Sequence, residues 1–337
     1  MVVRTWMKNS RNMVISHKHL LALNGTKGFG PKKIHAIASY LLEEGNGQLN
    51  DVEMCELIAD LIGRKAIKGV KQFEPSEFKS ALIRAERILD QSAAIGISMI
   101  SRYESLYPKA LLDTVSEDGK ESIPLFLFYR GDLSVTSRRS TAIIGTREPS
   151  SEGEKAGTYL AKVLAEKGFN IVSGLALGCD TAAHKGALDG NGVTTATLGG
   201  GLDKVYPSEN IELADKIVNA GGLLLSEYPV GEETSPYTLV ARDRLQAALS
   251  QAVIVIQTDV NGGTMHAVNA ASVVGKPIFA VEYRHNLESK YDGGNKYLVR
   301  KHIARPITSS IEDISSLIQS LERVQTQPGR DEQLSLF

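Results

Sequence analysis

The second half of the chain alternates short apolar runs with longer amphipathic stretches. The apolar runs have the length and composition of buried strands, and they are TAIIGT, FNIVSG, TTATLG, GLLLSE, AVIVIQ and PIFAVE. Segments with helical spacing of apolar residues, such as EKAGTYLAKVLAEKG and MHAVNAASVVG, separate most of them. This rhythm predicts right-handed crossovers and an α/β domain over residues 140–324 with a doubly wound, mostly parallel sheet.

The pattern differs on either side of this region. Residues 1–95 predict a small all-helical domain, because HLLALNGTKGFGPKKIHAIASYLL has helical periodicity around a glycine turn and SEFKSALIRAERILDQSAAIG continues it. Residues 96–139 predict short strands and turns, a lead-in segment packed on the main domain. Residues 325–337 are polar and contain Pro and Gly, which predicts a disordered tail.

Four of the predicted strands stop on glycine. The stops are Gly145, Gly174, the run Gly199, Gly200 and Gly201, and the pair Gly262 and Gly263 followed by Thr264. Loops that leave the carboxyl ends of parallel strands gather along one edge of the sheet and form its ligand crevice. Glycine allows close approach of a backbone, and peptide N–H groups at helix starts favour anions. The pattern predicts a phosphate-binding edge.

Composition limits the possible partners. The formal net charge is −1, so affinity for nucleic acid has to come from local patches. No apolar run approaches membrane-spanning length and the N-terminus lacks the apolar core of a signal peptide, which predicts a cytoplasmic protein with no membrane partner. The two cysteines, Cys55 and Cys179, fit neither a disulfide framework nor a zinc site.

The N-terminal region carries a basic patch. No Asp or Glu precedes Glu43. The basic residues before it are Arg4, Lys8, Arg11, Lys18, Lys27, Lys32 and Lys33, and a second cluster follows at Arg64, Lys65, Lys68 and Lys71. The patch is either a polyanion-binding surface or a solvated helical face balanced by acids in three dimensions.

Several enzymatic chemistries do not fit the glycine edge. The first loop, GTREPSSEG, lacks the dinucleotide glycine spacing, the second strand ends without a carboxylate, and no Walker sequence occurs. Ser173 lacks a nucleophile elbow. Asp180 and His184 lie one helical turn apart, so with Cys179 they form a metal or catalytic trio or, as we expect, a structural hydrogen bond that fixes the loop. No catalysis and no cofactor are predicted.

Cationic and aromatic residues near the loops suit a flexible anionic chain. Arg147 follows the first strand directly, and Arg242 and Arg244 precede the strand VIVIQ. Arginine binds phosphate bidentately and stacks on bases. Three further residues near these loops offer either stacking surfaces or core packing: Tyr206, Tyr237 and His266.

Long ordered patterns resemble the DNA-processing protein A (DprA/Smf) family. They are AIIGTREPSSEG, SGLALGCDTAAHKGAL, GGGLDKVYPSEN and ARDRLQAALSQAVIVIQTDVNGGTMHAVNAASVVGKPIFAV, and the likeness covers about residues 100–310. It implies a Rossmann-like core. GFGPKKI is similar to a helix-hairpin-helix turn of that family's small SAM-like domain, or is a plain helix connection.

The resemblance implies a non-enzymatic protein that binds single-stranded DNA, protects it and assists loading of the RecA recombinase in natural transformation or recombination. It also implies a homodimer. The carried-over pocket uses Gly145, Thr146 and Arg147, with Ser173 and Gly174 opposite, and Lys204, Arg242 and Arg244 as a basic rim. The turn residues Lys27, Gly28, Gly30, Lys32 and Lys33 would add a secondary DNA contact.

The sequence departs from the family at three points. Asp243 lies between the two rim arginines and should weaken phosphate binding unless it pairs with one of them. The family's SGS-type loop is Asn261, Gly262, Gly263 and Thr264, and the frequent C-terminal winged helix is not expected. Two alternatives stay open: a sensor of free nucleotides, and a LOG-type nucleoside monophosphate phosphoribohydrolase, although NGGTMHAVNA lacks that family's catalytic glutamate.

The last five residues, QLSLF, resemble the peptide by which bacterial repair proteins dock on the DNA polymerase sliding clamp. Leu334, Leu336 and Phe337 would enter an apolar cleft, with Gln333 hydrogen-bonded beside it and Ser335 between them. A disordered tether ending in apolar anchors suits such docking.

Overall fold

The computed structural model describes residues 15–44, 49–70, 73–116, 119–284, 289–308 and 310–326. The chain forms two compact units. One comprises Met1–Tyr107 with Pro124–Phe128, and the other comprises Pro108–Ile123 with Tyr129–Phe337. The segment 96–139, predicted as one lead-in, is therefore divided between the two units.

The first unit is mainly helical. Its elements are α1 (His17–Asn24), α2 (Pro31–Glu43), α3 (Asp51–Gly63), α4 (Pro75–Ala94) and the strand β1 (Ser98–Ser101). The helices begin where the sequence supplies start signals: the Ser16 side chain caps α1, Pro31 opens α2, and Asn50 and Glu53 form a capping box on α3. Leucines, isoleucines and Phe78 from these helices are fully buried.

The second unit alternates strands and helices. Strand β2 (Phe126–Gly131) begins in the first unit and ends in the second. The elements that follow are β3 (Ser140–Ile144), α5 (Ser151–Glu166), β4 (Asn170–Ser173), α6 (Cys179–Asp189), β5 (Thr194–Leu198), α7 (Ile211–Asn219), β6 (Leu223–Ser226), α8 (Pro236–Leu249), β7 (Val253–Val255), α9 (Thr264–Val273), β8 (Ile278–Val281), α10 (Ser289–Arg300), β9 (Arg305–Ile307) and α11 (Ile311–Thr326). Short 3-10 helices cover Lys109–Asp113, Leu133–Ser137 and Ser208–Asn210.

The strands of the second unit pair in the order β6-β5-β4-β3-β7-β8-β9, and each of these neighbours is parallel. The chain runs outward from β3 to β6, returns to β7 beside β3, and then runs outward the other way. The point where the direction reverses lies between β3 and β7, with Ala142 level with Val253. This confirms the prediction of a doubly wound, Rossmann-like α/β sheet, whose ligand crevice is expected at that reversal.

One continuous apolar core supports this edge. Ile143, Ile171 and Ile254 of the sheet pack with Leu160 and Leu164 of α5 and with the inner face of α11, all fully or nearly fully buried. Strand β9 was not predicted, because three residues with only Ile307 buried give no apolar run. Over the described residues, no helix is both long and apolar enough to cross a membrane.

Candidate functional site

Two loops meet at the reversal point between β3 and β7. Gln257, two residues after the end of β7, joins them. Its carbonyl oxygen accepts the Thr146 N–H at 2.7 Å, its side-chain oxygen accepts the Ser150 N–H at 2.8 Å, and its side-chain amide donates to the Ser150 hydroxyl at 2.9 Å. Arg147 lies in the loop between these contacts and its side chain is exposed. Within the described parts of the chain, no acid forms an ion pair with its guanidinium.

Helix α9 begins at the end of the loop after β7, which Gln257 joins to the loop after β3. Its N-cap is Gly263, and no side chain caps it. Gly263 is exposed, a Cβ there would meet no atom within 4 Å, and Gly262 and Thr264 are half-buried. The Met265 and His266 N–H groups donate to the Gly262 and Gly263 carbonyls at 3.0 and 3.1 Å. No hydrogen bond is described for the Gly263 and Thr264 N–H groups, so these two are available to an anion, as an uncapped helix start allows. Of the other predicted pocket residues, Arg147 is exposed, the Thr146 N–H donates to Gln257, and a Cβ on Gly145 would crowd Cys179 and the Gln257 carbonyl.

The prediction placed Ser173 and Gly174 at the ligand pocket, but the structure buries both of them. Ser173 and Gly174 are buried, and the Ser173 hydroxyl donates to the Ile143 carbonyl at 2.7 Å. The Gly174 and Ala176 N–H groups donate to Asp180 Oδ2 at 3.1 and 3.3 Å. Ser173 and Gly174 are therefore not exposed to a ligand as predicted, because they are buried and their polar groups are satisfied inside the domain.

Arg242 also lies inside, with only 4% of its surface exposed. Its Nη1 donates to the Thr197 carbonyl at 3.3 Å, and a Cβ on Gly174 would overlap the guanidinium. The Nε lies 3.2 Å from Asp243 Oδ1 but is not aligned for a hydrogen bond. The predicted place of Arg242 on an exposed rim is wrong, since α8 presents it to the sheet.

Two acids accompany this buried arginine. Burial raises the pKa of Asp180, and the Arg242 charge opposes that rise. Burial likewise raises the pKa of Asp243 to about 6, against the opposing charges of Arg242, His266 and Arg147. Asp243 therefore pairs with an arginine, which meets the condition under which its carboxylate does not weaken phosphate binding.

Arg244 is held in structural contacts as well. Its Nη2 lies 2.6 Å from Glu227 Oε1 and its Nη1 lies 2.6 Å from Oε2, so the pair is bidentate. The Nε donates to the Ser122 hydroxyl at 3.0 Å. Arg244 therefore ties residues 108–123 to α8, and it does not extend an exposed rim.

The three glycines after β5 allow neighbouring segments to pack closely. Gly199, Gly200 and Gly201 are buried, and a Cβ on them would crowd Thr238 and Leu239, Thr234, or Asp203 and Pro229 respectively. They let the neighbouring loop and the start of α8 approach closely. The prediction that they contact a ligand does not agree with their burial.

Lys204 and two tyrosines are at the surface of the same region. Lys204 is exposed, with its Nζ 3.8 Å from the exposed Glu233 carboxylate. Tyr206 is 50% exposed and Tyr237 is 81% exposed. Core packing is thus excluded for both tyrosines, and their rings are available to stack. His266 is half-buried.

The residues considered as a metal or catalytic trio are all buried, and Asp180 and His184 form contacts inside the domain. Burial raises the pKa of Cys179 to about 12 and lowers that of His184 to about 3. Thr194 Oγ1 donates to the Ile171 carbonyl and lies 2.7 Å from His184 Nδ1, so the neutral imidazole donates from Nδ1. No cluster of metal-ligating side chains occurs in the described residues.

In the first unit, Lys27 and Lys32 are exposed, while Lys33 Nζ donates to the Gly28 and Gly69 carbonyls at 2.6 and 2.8 Å. Lys33 therefore fastens two turns together. Gly28 has a φ of 91°, and Gly30 is the N-cap of α2. The clamp-docking residues Gln333, Leu334, Ser335, Leu336 and Phe337, and the basic residues Arg4, Lys8, Arg11 and Lys71, lie outside the described residues.

Sequence reasoning missed two residues that hold the loops. Gln257 joins the loops after β3 and β7, and Asn210 Nδ2 donates to the Leu175 carbonyl at 2.8 Å and to Thr181 Oγ1 at 2.9 Å. Gln257 could have been noticed as the polar residue that ends the apolar run AVIVIQ. Asn210 gave no comparable signal, since it lies in a polar loop.

Similar proteins agree with this architecture. The family described as DNA recombination-mediator protein A matches residues 98–319. DNA processing protein DprA of Bacillus subtilis is 32% identical over 260 residues, which cover 76% of this chain and 80% of that protein. In other curated relatives the matched part covers about half of the relative's length, 47% and 55% in two of them.

Two solved structures resemble the fold. DNA processing protein A (DprA) of Streptococcus pneumoniae superposes with a TM-score of 0.69 and 25% identity over 90% of this chain and 98% of that one. DNA processing protein A of Helicobacter pylori, whose single-stranded DNA binding mode has been studied, gives 0.57 and 32% over 67% of this chain and 96% of that one. The chain therefore belongs to the DNA recombination-mediator protein A (DprA/Smf) family.

Proposed function

We propose that this protein binds single-stranded DNA along the carboxyl edge of its sheet and that it breaks no bond there. The observation that carries the proposal is the exposed Arg147 guanidinium, without a described acid partner, on a loop that Gln257 joins to the loop leading into the uncapped start of α9. An arginine and free N–H groups on adjacent loops form a phosphate site. The single-stranded DNA binding reported for the Helicobacter pylori relative supports this choice of polymer.

The same edge offers further contacts to a strand. Lys204 supplies a second exposed positive charge, and Tyr206 and Tyr237 supply rings for stacking of bases. Stacking tolerates any base, so binding is expected with little sequence preference. We extend the proposal to protection of strands, assistance of RecA loading and a homodimer, all of which rest on family membership.

Titration with oligonucleotides of increasing length at graded salt tests this function. A polyanion ligand predicts affinity that rises with length and falls steeply with salt, because each phosphate contact releases counterions. Saturation by a mononucleotide, with no gain from length, would instead indicate a nucleotide sensor. Steady release of free base from nucleoside monophosphates would indicate the phosphoribohydrolase.

A second proposal concerns the last five residues, which resemble a clamp-docking peptide. Deletion of residues 333–337 is expected to abolish retention on an immobilised sliding clamp, because the apolar anchors would be lost. Binding to single-stranded DNA should stay unchanged in the same variant. Equal retention of the full and shortened chains would dismiss the docking role.

A further inference from the structure

The loop after β4 has the form of an anion-binding turn, yet its donors point inward. Gly174 N and Ala176 N both donate to one oxygen of Asp180, at 3.1 and 3.3 Å. Leu175 between them has a φ of 61°, which turns successive N–H groups to the same side. Such an arrangement of N–H groups is one that proteins use for phosphate.

The anion that fills this turn belongs to the chain itself. Asp180 is 5% exposed and its carboxylate lies near the positive charge of Arg242, which is 4% exposed. The Arg242 guanidinium lies directly against Gly174, since a Cβ on that residue would fall 1.3 Å from Nη1. The turn therefore has the donors and the cation of a phosphate site, with a carboxylate in place of the ligand.

Asn210 closes the same turn from the neighbouring loop. Its side-chain amide donates to the Leu175 carbonyl at 2.8 Å and to the Ala176 carbonyl at 3.3 Å. The Gly174 and Ala176 N–H groups and the Leu175 and Ala176 carbonyl groups are thus satisfied within the domain. An incoming phosphate would find the Gly174 and Ala176 donors occupied.

We propose that Asp180 is an internal anion that closes the loop after β4 to phosphate, with Arg242 as its buried counter-ion. The pair determines specificity: it denies free nucleotides the second phosphate cradle of the sheet edge and leaves strand binding to the loops after β3 and β7. Arg242 is a positioning residue that does not touch DNA. The effect of the pair on specificity and the positioning role of Arg242 rest on the proposed single-stranded DNA binding.

Formate tests the internal anion without any DNA. Asp180→Ala removes the carboxylate, so its thermal midpoint is expected to fall in sodium chloride and to rise again with sodium formate at equal ionic strength. Formate restores the anion by binding only the folded state. Asp180→Asn fills the space and should not respond, and neither should the wild type or Asp189→Ala, which removes an exposed acid from the same helix.

A midpoint of Asp180→Ala that is no higher in formate than in chloride would overturn the internal anion. If this variant does not fold in chloride, the yield of folded protein in the two salts gives the same comparison. A yield that formate does not improve would likewise refute it.

Arg242→Gln tests the positioning role through salt dependence. We expect weaker single-strand binding with an unchanged slope of log affinity against log salt, because no phosphate contact is lost. A slope reduced by about 0.7, the value for one phosphate of a single strand, would show that Arg242 contacts DNA and would refute the role. Wild-type binding is measured first, so failure of the proposed function is seen separately from failure of this inference.

Discussion

Arg147→Ala is expected to weaken binding of single-stranded DNA by at least about tenfold. A hydrogen bond to a charged group contributes about 1.5–3 kcal/mol, and about 1.4 kcal/mol corresponds to a factor of ten. The side chain is exposed and has no described acid partner, so its removal should leave the fold intact. Fluorescence anisotropy at several salt concentrations measures both the affinity and its salt slope, which should fall by about 0.7.

Arg138→Ala provides the matched control. Arg138 is an exposed arginine that precedes β3, whereas Arg147 follows the same strand, so the two lie at opposite ends of it. Loss of either residue changes the net charge equally. Equal effects of the two substitutions would mean that general charge attracts the strand, and would remove Arg147 from the site.

Gly178→Ala is expected to reduce both stability and DNA affinity. Gly178 has a φ of 76°, and a Cβ there would lie 2.5 Å from the carbonyl oxygens of Thr146 and Arg147. Backbone strain of this kind costs about 1–3 kcal/mol. The clash adds to it by pushing the loop that carries Arg147 away from its place. Thermal unfolding and DNA titration measure the two effects.

Gly221→Ala separates strain from clash. Gly221 has a φ of 78°, yet a Cβ there would meet no atom within 4 Å. It lies before β6, at the amino end of the sheet. This variant should lose stability through strain alone and keep its DNA affinity. If Gly178→Ala lost no more affinity than Gly221→Ala, the position of the Arg147 loop would not matter for binding.

The fold of the second unit could be predicted because the signals are local. Strand runs such as TAIIGT and AVIVIQ are continuous and apolar, and a glycine or a polar residue stops each of them. A glycine stop, however, has two causes that look alike in sequence. Gly263 is open to solvent, whereas Gly199 is glycine because the start of α8 packs against it. Only the packing of neighbouring elements separates these cases.

The roles of the arginines depend on the same distinction. Arg242 follows Thr238 by four residues and precedes Leu245 and Leu249, all on the buried face of α8. The helical spacing of Arg242 with these residues therefore indicated a buried position. The prediction placed it on an exposed rim because the residue is basic. Arg147 lies in a loop without periodicity, so no pattern opposed its assignment to the surface.

The contacts of Gln257 bear on the kinetics of the proposed single-strand binding. Three hydrogen bonds of this residue join the loops after β3 and β7, so we expect neither loop to rearrange when the proposed phosphate contact forms. A receptor that is ordered in advance leaves most of the entropic cost of association to the flexible polymer. Encounter rates should then depend on how quickly a strand straightens rather than on any opening of the protein.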